Sequence, residues 1–148
     1  MASVSLPRAD YTDRFGTTSE GVHTAEAWAR AAFEPASATD SKQLVWRRVL
    51  QLRLGPVDDP ERVAGWEVVE NTASRVVLTA DSWHLTGTLV FEAEPTGASV
   101  TTRVTYRRPA GRLVWSAVGP VHRRAVPQIL AAARARLERR PVDPPIDR

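Results

Sequence analysis

Residues 84–107 read HLTGTLVFEAEPTGASVTTRVTYR, and this stretch decides the fold. Proline and glycine within Glu94–Ala98 predict a turn at its centre. On each side of the turn, apolar or small residues alternate with polar ones, which is the period of a half-buried strand. One face of the two predicted strands carries Leu85, Gly87, Leu89, Phe91, Val100, Thr102, Val104 and Tyr106. The stretch therefore predicts an antiparallel hairpin with an apolar face toward a core.

The same alternation continues on the N-terminal side of the hairpin. Ala64, Trp66 and Val68 share one face of a predicted strand, and residues 75–81 resume the pattern after a turn at residues 71–74. With short turns between them, these four strands predict an antiparallel meander. A further short strand is predicted at residues 11–17.

Two short helices are predicted between the first strand and the meander. Residues 24–33 are rich in alanine, place Ala25, Trp28, Ala29 and Ala32 on one face, and precede the helix breaker Pro35. A second helix is predicted to begin at Asp40, whose side chain can cap it together with Gln43. Its apolar face is Val45, Val49 and Leu52, and Gly55-Pro56 is predicted to end it.

The last segment, residues 109–140, has a helical composition. Gly119-Pro120 predicts a break, giving a short helix or turn followed by a long C-terminal helix that Pro127 can kink. The apolar stripe of this long helix is Val126, Leu130, Ala133 and Leu137.

This order of elements predicts an α+β fold in which a curved antiparallel sheet wraps around one long C-terminal helix. We expect a single domain over residues 9–140, with frayed ends at residues 1–8 and 141–148. The space between the sheet and the long helix is where such a fold can hold a cavity.

Composition limits the function. The chain has 148 residues and no cysteine, which excludes disulfides and thiolate chemistry. Residues 1–99 carry a net charge of −5 and residues 100–148 a net charge of +8, with every basic residue except Lys42 an arginine. A basic half can attract anionic partners, but solvent-facing arginine explains the excess more simply. No secretory signal or membrane span is visible, so we expect a soluble, cytoplasmic protein.

Several segments resemble the START-like (SRPBCC) superfamily of helix-grip proteins, which includes lipid-transfer domains and polyketide cyclases. They are residues 65–70 (GWEVVE), 75–78 (RVVL), 111–115 (GRLVW) and 120–123 (PVHR). More narrowly, the chain is similar to an uncharacterised bacterial domain of unknown function that also occurs fused to short-chain-dehydrogenase-like proteins. The resemblance spans roughly residues 9–139. It implies the helix-grip fold and supplies no catalytic residues.

Residues 81–84 and His122 are the candidates for catalysis. Residues 81–84 (DSWH) contain the three residue types of a serine triad, but adjacent strand residues point to opposite faces, which favours a turn cluster. His122 follows Pro120 near the predicted start of the final helix, where the helix dipole would favour a neutral imidazole that can act as a base. The alternative is a structural hydrogen bond that ties the preceding segment to the helix.

The cavity-lining aromatic and apolar residues are the predicted ligand-binding site. They are Trp66, Leu89, Phe91, Val104, Tyr106, Trp115, His122 and Val126. Arg103 and Arg107 could share a strand face and clamp a carboxylate, and Arg123 is a further candidate. Most helix arginines are predicted to form a solvated outer face. No metal site, cofactor or nucleotide-binding loop is predicted, and the basic end lacks the interleaved aromatics that nucleic-acid binding requires.

The sequence thus predicts a module that binds an apolar, lipid- or polyketide-like small molecule between the sheet and the final helix. The sequence places no buried carboxylate on the predicted inner strand faces, which favours ligand binding over acid–base catalysis. Two alternatives stay open: a cyclase- or dehydratase-like enzyme that uses His122, and a protein-interaction module that uses the arginine-rich half. The sequence does not give the oligomeric state.

Overall fold

In the part of the chain that the structure describes, six antiparallel strands form one curved sheet, which packs on a long C-terminal helix. The computed structural model describes residues 6, 8–34 and 41–139. The strands lie in the order β1-β6-β5-β4-β3-β2. Their bounds are β1 Tyr11–Thr18, β2 Arg62–Val63, β3 Trp66–Asn71, β4 Arg75–Asp81, β5 Leu85–Glu94 and β6 Gly97–Tyr106. The predicted α+β class and meander are confirmed, and the predicted frayed ends lie, apart from residues 6 and 8, outside the described residues.

The predicted hairpin forms, and its turn lies within the predicted segment Glu94–Ala98. Leu85 pairs with Tyr106 and Glu94 with Gly97, so the apolar residues of β5 and β6 share the concave face. Strand β1 adds to β6 from Tyr11, opposite Val104, to Thr18, opposite Gly97. This places the chain's first strand beside its last one.

The predicted strand from Ala64 begins two residues later, at Trp66. Ala64 and Gly65 both have positive φ, 51° and 92°, as a two-residue hairpin turn of the primed type requires. They connect β2 to β3, where Val63 pairs with Trp66.

Helix α1 covers Ala25–Ala32 and begins as predicted. The Thr24 hydroxyl accepts a hydrogen bond from the Ala27 amide at 3.1 Å, which caps the helix. The predicted apolar face is buried against the sheet and the C-terminal helix, and Trp28 is its largest buried side chain. Pro35 lies outside the described residues.

The second predicted helix is shorter than expected and changes its geometry. Helix α2 covers Ser41–Leu44 and continues as a π-helical turn over Val45–Val49. The chain then leaves the helix, because Gln51 adopts a left-handed φ of 58° and the Leu52 amide bonds back to the Trp46 carbonyl at 2.8 Å. Val49 is consequently exposed rather than on a buried face. The predicted cap Asp40 lies outside the described residues.

The C-terminal helix α3 runs unbroken over Pro109–Arg139, so the break predicted at Gly119-Pro120 is wrong. Pro120 and Pro127 each remove one backbone hydrogen bond, but both lie exposed on the outer side of the helix, where water can bond the freed carbonyls. The opposite side stays packed. The predicted stripe of Val126, Leu130, Ala133 and Leu137 is buried against the sheet and α1.

Candidate functional site

A cavity of about 300 Å³ lies between the concave face of the sheet, α3 and the segment formed by α2 and its π turn. Its walls are mainly apolar. The lining residues are Phe33, Lys42, Val45, Trp46, Leu50, Leu89, Phe91, Val100, Thr102, Trp115, Val118, Val121, His122, Ala125, Val126, Ile129 and Leu130. Val121 is 63% exposed and lies where the cavity meets the surface.

The structure brings five of the eight predicted ligand-binding residues to this cavity. They are Leu89, Phe91, Trp115, His122 and Val126. Alternation on β5 predicted Leu89 and Phe91, and the apolar stripe of the last helix predicted Val126, because both patterns identify the side of the element that faces the core.

The other three predicted residues are not among the described residues that line the cavity. Val104 is buried in the core. Trp66 packs edge-on against Trp46, with ring centroids 5.3 Å apart, and is separated from the cavity by that ring. Tyr106, at the end of β6, is covered by the Arg112 guanidinium at 5.4 Å from its ring centroid.

Sequence reasoning missed the wall formed by the end of α1 and by the π turn. Phe33 contacts Phe91 and Trp46 edge-on, with centroids 5.7 Å and 5.0 Å apart. These rings line one side of the cavity together with Val45 and Leu50. The apolar residues of the second predicted helix were a usable signal, but the π turn rotates Trp46 toward the cavity in a way that a regular helical period does not predict.

One end of the cavity is polar. The Nε2 atom of His122 lies 3.1 Å from Oδ2 of Asp13, and the two side chains are only 16% and 12% exposed. The Nε2–H bond is not directed at the oxygen, so this is a close polar contact rather than an aligned hydrogen bond. The Tyr11 hydroxyl donates to the same Asp13 oxygen at 2.5 Å. Strand β1 and helix α3, from opposite ends of the chain, thus meet in one buried polar cluster.

Two further side chains complete this cluster. Thr102 lies opposite Asp13 in the β1–β6 pairing and helps to stabilise its carboxylate, although no well-formed hydrogen bond joins them. The Trp115 ring packs between Tyr11 and His122, with centroids 5.2 Å and 5.1 Å away. The indole therefore fixes the tilt of the imidazole against the cavity wall.

The position of His122 corrects one prediction and the position of Asp13 another. His122 lies about three and a half turns into α3, so the dipole of the helix N-terminus does not act on it. Asp13 is a largely buried carboxylate on an inner strand face, so the prediction that the inner strand faces lack one is wrong. The signal was present: Tyr11, Asp13 and Phe15 alternate with exposed residues and so share the inward face.

The electrostatics of the cluster keep Asp13 ionised. Burial raises the pKa of Asp13, but contacts with His122 and Tyr11 outweigh burial and hold it below the ordinary value of 3.8. Burial, followed by the hydrogen bond to Asp13, raises the pKa of the Tyr11 hydroxyl above 10.0. Tyr11 therefore remains a donor to the Asp13 carboxylate at neutral pH.

This lowered pKa predicts a pH dependence of stability. Asp13 stabilises the fold above its unfolded pKa of about 4, and its contribution is lost as the pH falls through the lower folded value. In urea unfolding between pH 6 and pH 3, the wild type should lose stability more steeply than Asp13→Asn, by up to about 1.4 kcal/mol per pH unit. Asp58→Asn, at an exposed turn position, is the matched control. Equal slopes in the wild type and Asp13→Asn would contradict the assignment.

The DSWH segment is a turn, as the simpler interpretation predicted. The Ser82 hydroxyl accepts from the backbone amides of His84 and Leu85 at 3.2 Å and 3.1 Å, and Asp81 accepts from the Thr86 hydroxyl at 2.9 Å. Burial lowers the pKa of His84. The serine, histidine and aspartate are thus each engaged in the β4–β5 turn and do not form a triad.

Several arginines have structural roles that the sequence did not predict. Arg47 donates to the carbonyls of Leu54 and Gly55 at 3.3 Å and 2.6 Å, and Arg136 donates to the Ala31 carbonyl at 2.6 Å. Arg136 is therefore not part of a solvated outer face.

The carboxylate clamp of Arg103 and Arg107 stays a prediction, but Arg107 does not lie on the strand that carries Arg103. Strand β6 ends at Tyr106, and Arg107, beyond its end, donates to the Ser82 carbonyl at 3.2 Å. Arg123 donates to the Tyr11 hydroxyl at 3.3 Å, beside the polar end of the cavity.

The described part of the chain shows two further features relevant to function. None of its helices is both long enough and apolar enough to cross a membrane. Nor do three or more His, Asp or Glu side chains within it come together as a metal site requires. The cytoplasmic location stays a prediction.

The fold and site define a class: an α+β protein whose curved antiparallel sheet packs on one long helix and encloses an apolar cavity with one polar end. Within this class, the chain belongs to the family described as "Protein of unknown function (DUF2867)", which matches residues 5–129. No curated protein and no solved structure matches the chain.

Proposed function

We propose that this protein binds a hydrophobic small molecule, of lipid or polyketide type, in the cavity between the sheet and α3. The observation that carries the proposal is a cavity of about 300 Å³ with apolar walls. Protein interiors rarely contain voids much larger than a water molecule, whose share of liquid volume is about 30 Å³. The cavity is thus too large for a packing defect and lies at the lower end of small-molecule sites, about 300–1,000 Å³.

The same arrangement supports the finer relationship. A long C-terminal helix across a curved antiparallel sheet, with two short helices after the first strand, is the helix-grip arrangement. We infer membership of the START-like superfamily from this arrangement and from the sequence resemblance at residues 65–70 and 111–123. An interior ligand site between sheet and helix agrees with that relationship.

Blocking the cavity tests the proposal. Ala125 lines the cavity from α3, whereas Ala117 lies exposed on the same helix and away from it. The neutral dye N-phenyl-1-naphthylamine should become fluorescent on binding to the wild type. Ala125→Phe should weaken this binding about tenfold or more, because the added ring occupies ligand space, and Ala117→Phe should leave it unchanged. Absence of dye binding to the wild type, or equal binding by both variants, would overturn the proposal.

A second function is favoured by one specific observation, the Asp13–His122 pair at the polar end of the cavity. A histidine held by a carboxylate can act as a general acid or base on a ligand carbonyl, as in a cyclase or dehydratase. Native mass spectrometry of protein purified from its own host separates the two functions. A co-purifying molecule that keeps its mass on prolonged incubation supports binding alone, whereas loss of one water per molecule supports catalysis.

A further inference from the structure

The two ring nitrogens of His122 have different environments. Nε2 is fully buried and faces the Asp13 carboxylate. The ring itself borders the cavity, and part of the side chain is accessible. Nδ1 makes no hydrogen bond within the described residues and, unlike Nε2, is not a fully buried atom. Nδ1 is therefore the nitrogen that a molecule in the cavity can reach.

Asp13 also determines which nitrogen carries the proton. A carboxylate oxygen 3.1 Å from Nε2 disfavours a lone pair there, so the neutral ring places its proton on Nε2 and its lone pair on Nδ1. In the protonated ring, Nδ1 is a donor instead. A hydroxyl group can donate to the first form and accept from the second, whereas a carbonyl or ether oxygen can only accept.

The described lining residues beside His122 on α3 and on the sheet offer no second accessible polar atom. The Trp115 Nε1 and Thr102 Oγ1 atoms have no hydrogen-bond partner, but both are fully buried. The neighbouring lining residues on α3, Val118, Val121 and Ala125, are apolar. The charged lining residue Lys42 belongs to α2, on another wall, so a ligand that meets α3 here has Nδ1 as its polar partner.

We propose that His122 Nδ1 forms a hydrogen bond with a hydroxyl group of the ligand. The ligand is then an apolar molecule of the size of an aromatic ring system, with a hydroxyl group where it meets α3. This inference rests on the proposed function and narrows its ligand class. Asp13 is the positioning residue: it holds the ring and its proton, and it does not itself contact the ligand. Tyr11 holds Asp13 in turn through its hydroxyl.

The test uses two probes of nearly equal shape, 1-naphthol and 1-methylnaphthalene, each displacing bound N-phenyl-1-naphthylamine from the folded protein. One hydrogen bond raises the affinity about two- to tenfold, so the wild type should bind 1-naphthol more tightly than 1-methylnaphthalene by that factor. In His122→Phe, which keeps a ring against Trp115, the preference should disappear while both probes still bind. Asp13→Asn should reduce the preference without affecting 1-methylnaphthalene.

The outcomes are distinguishable from failure of the proposed function. Three results with a dye-binding wild type would overturn the inference and leave the cavity proposal standing. The wild type does not distinguish the two probes, His122→Phe keeps the preference for 1-naphthol, or neither probe displaces the dye. If the dye does not bind the wild type, the proposed function itself has failed. Should His122→Phe be unstable because Asp13 loses its partner, the double variant Asp13→Asn/His122→Phe removes that charge and takes its place.

Discussion

Gly111→Ala should destabilise the protein by about 3 kcal/mol, at the upper end of the cost of overpacking. A Cβ at this position would lie 2.2 Å from the backbone carbonyl oxygen of His84, closer than any tolerated contact. That carbonyl cannot easily move, because it also accepts hydrogen bonds from the backbone amides of Arg107 and Arg108, at 2.8 Å and 3.2 Å. The first turn of α3 would have to separate from the β4–β5 turn.

Gly119→Ala is the matched control in the same helix. The nearest atom to its added Cβ is Nη1 of the exposed Arg123 side chain, at 3.1 Å, which can move away. Replacing glycine by alanine inside a helix gains up to about 1 kcal/mol, and crowding of the new Cβ against the ring of Pro120 offsets part of that gain. The urea concentration at half-unfolding should fall strongly for Gly111→Ala and stay or rise for Gly119→Ala. The slope of the unfolding free energy against urea concentration should be unchanged in both variants. Equal midpoints for the two variants would show that the contact between Gly111 and His84 does not constrain the fold.

Trp28→Ala should cost about 3–5 kcal/mol, the range for removing a large aromatic side chain from a core. Trp28 is 1% exposed and anchors the short helix α1 between the sheet and α3. Its loss leaves a cavity that the surrounding alanines of α1 are too small to fill. Because Phe33, the C-cap residue of α1, lines the ligand cavity, dye binding should weaken as well.

Trp83→Ala is the control for that substitution. Trp83 is 52% exposed, and its indole donates to the Gln51 side chain at 2.6 Å, a surface hydrogen bond. Its removal should cost about 1 kcal/mol and leave dye binding unchanged. A loss for Trp83→Ala comparable to that for Trp28→Ala would mean that the β4–β5 turn contributes as much stability as the core does.

The strands and the first helix could be predicted because their signals are local. A period of two in residues 84–107 specifies both the strand and its buried face, and a one-residue slip would expose every apolar side chain. The Thr24 cap and the alanine-rich face of α1 are also local signals, because each involves residues within one or two helical turns of each other. Among the cavity residues, Leu89 and Phe91 followed from the alternation on β5.

The features that could not be predicted depend on contacts between distant segments. Gly119-Pro120 normally ends a helix, but packing of α3 on the sheet and α1 outweighs the loss of a hydrogen bond at each exposed proline. The end of the π turn depends on Arg47, which holds the carbonyls of the loop that follows.

By itself, the sequence determined the α+β class, the sheet's inner face and the buried stripe of α3, because periodicity and capping act between neighbouring residues. Only the tertiary structure decided that Asp13 of β1 meets His122 of α3. The physical reason is that β1 pairs with β6, which places the chain's first strand under its last helix. That pairing converts a histidine and an aspartate into the polar end of an apolar cavity.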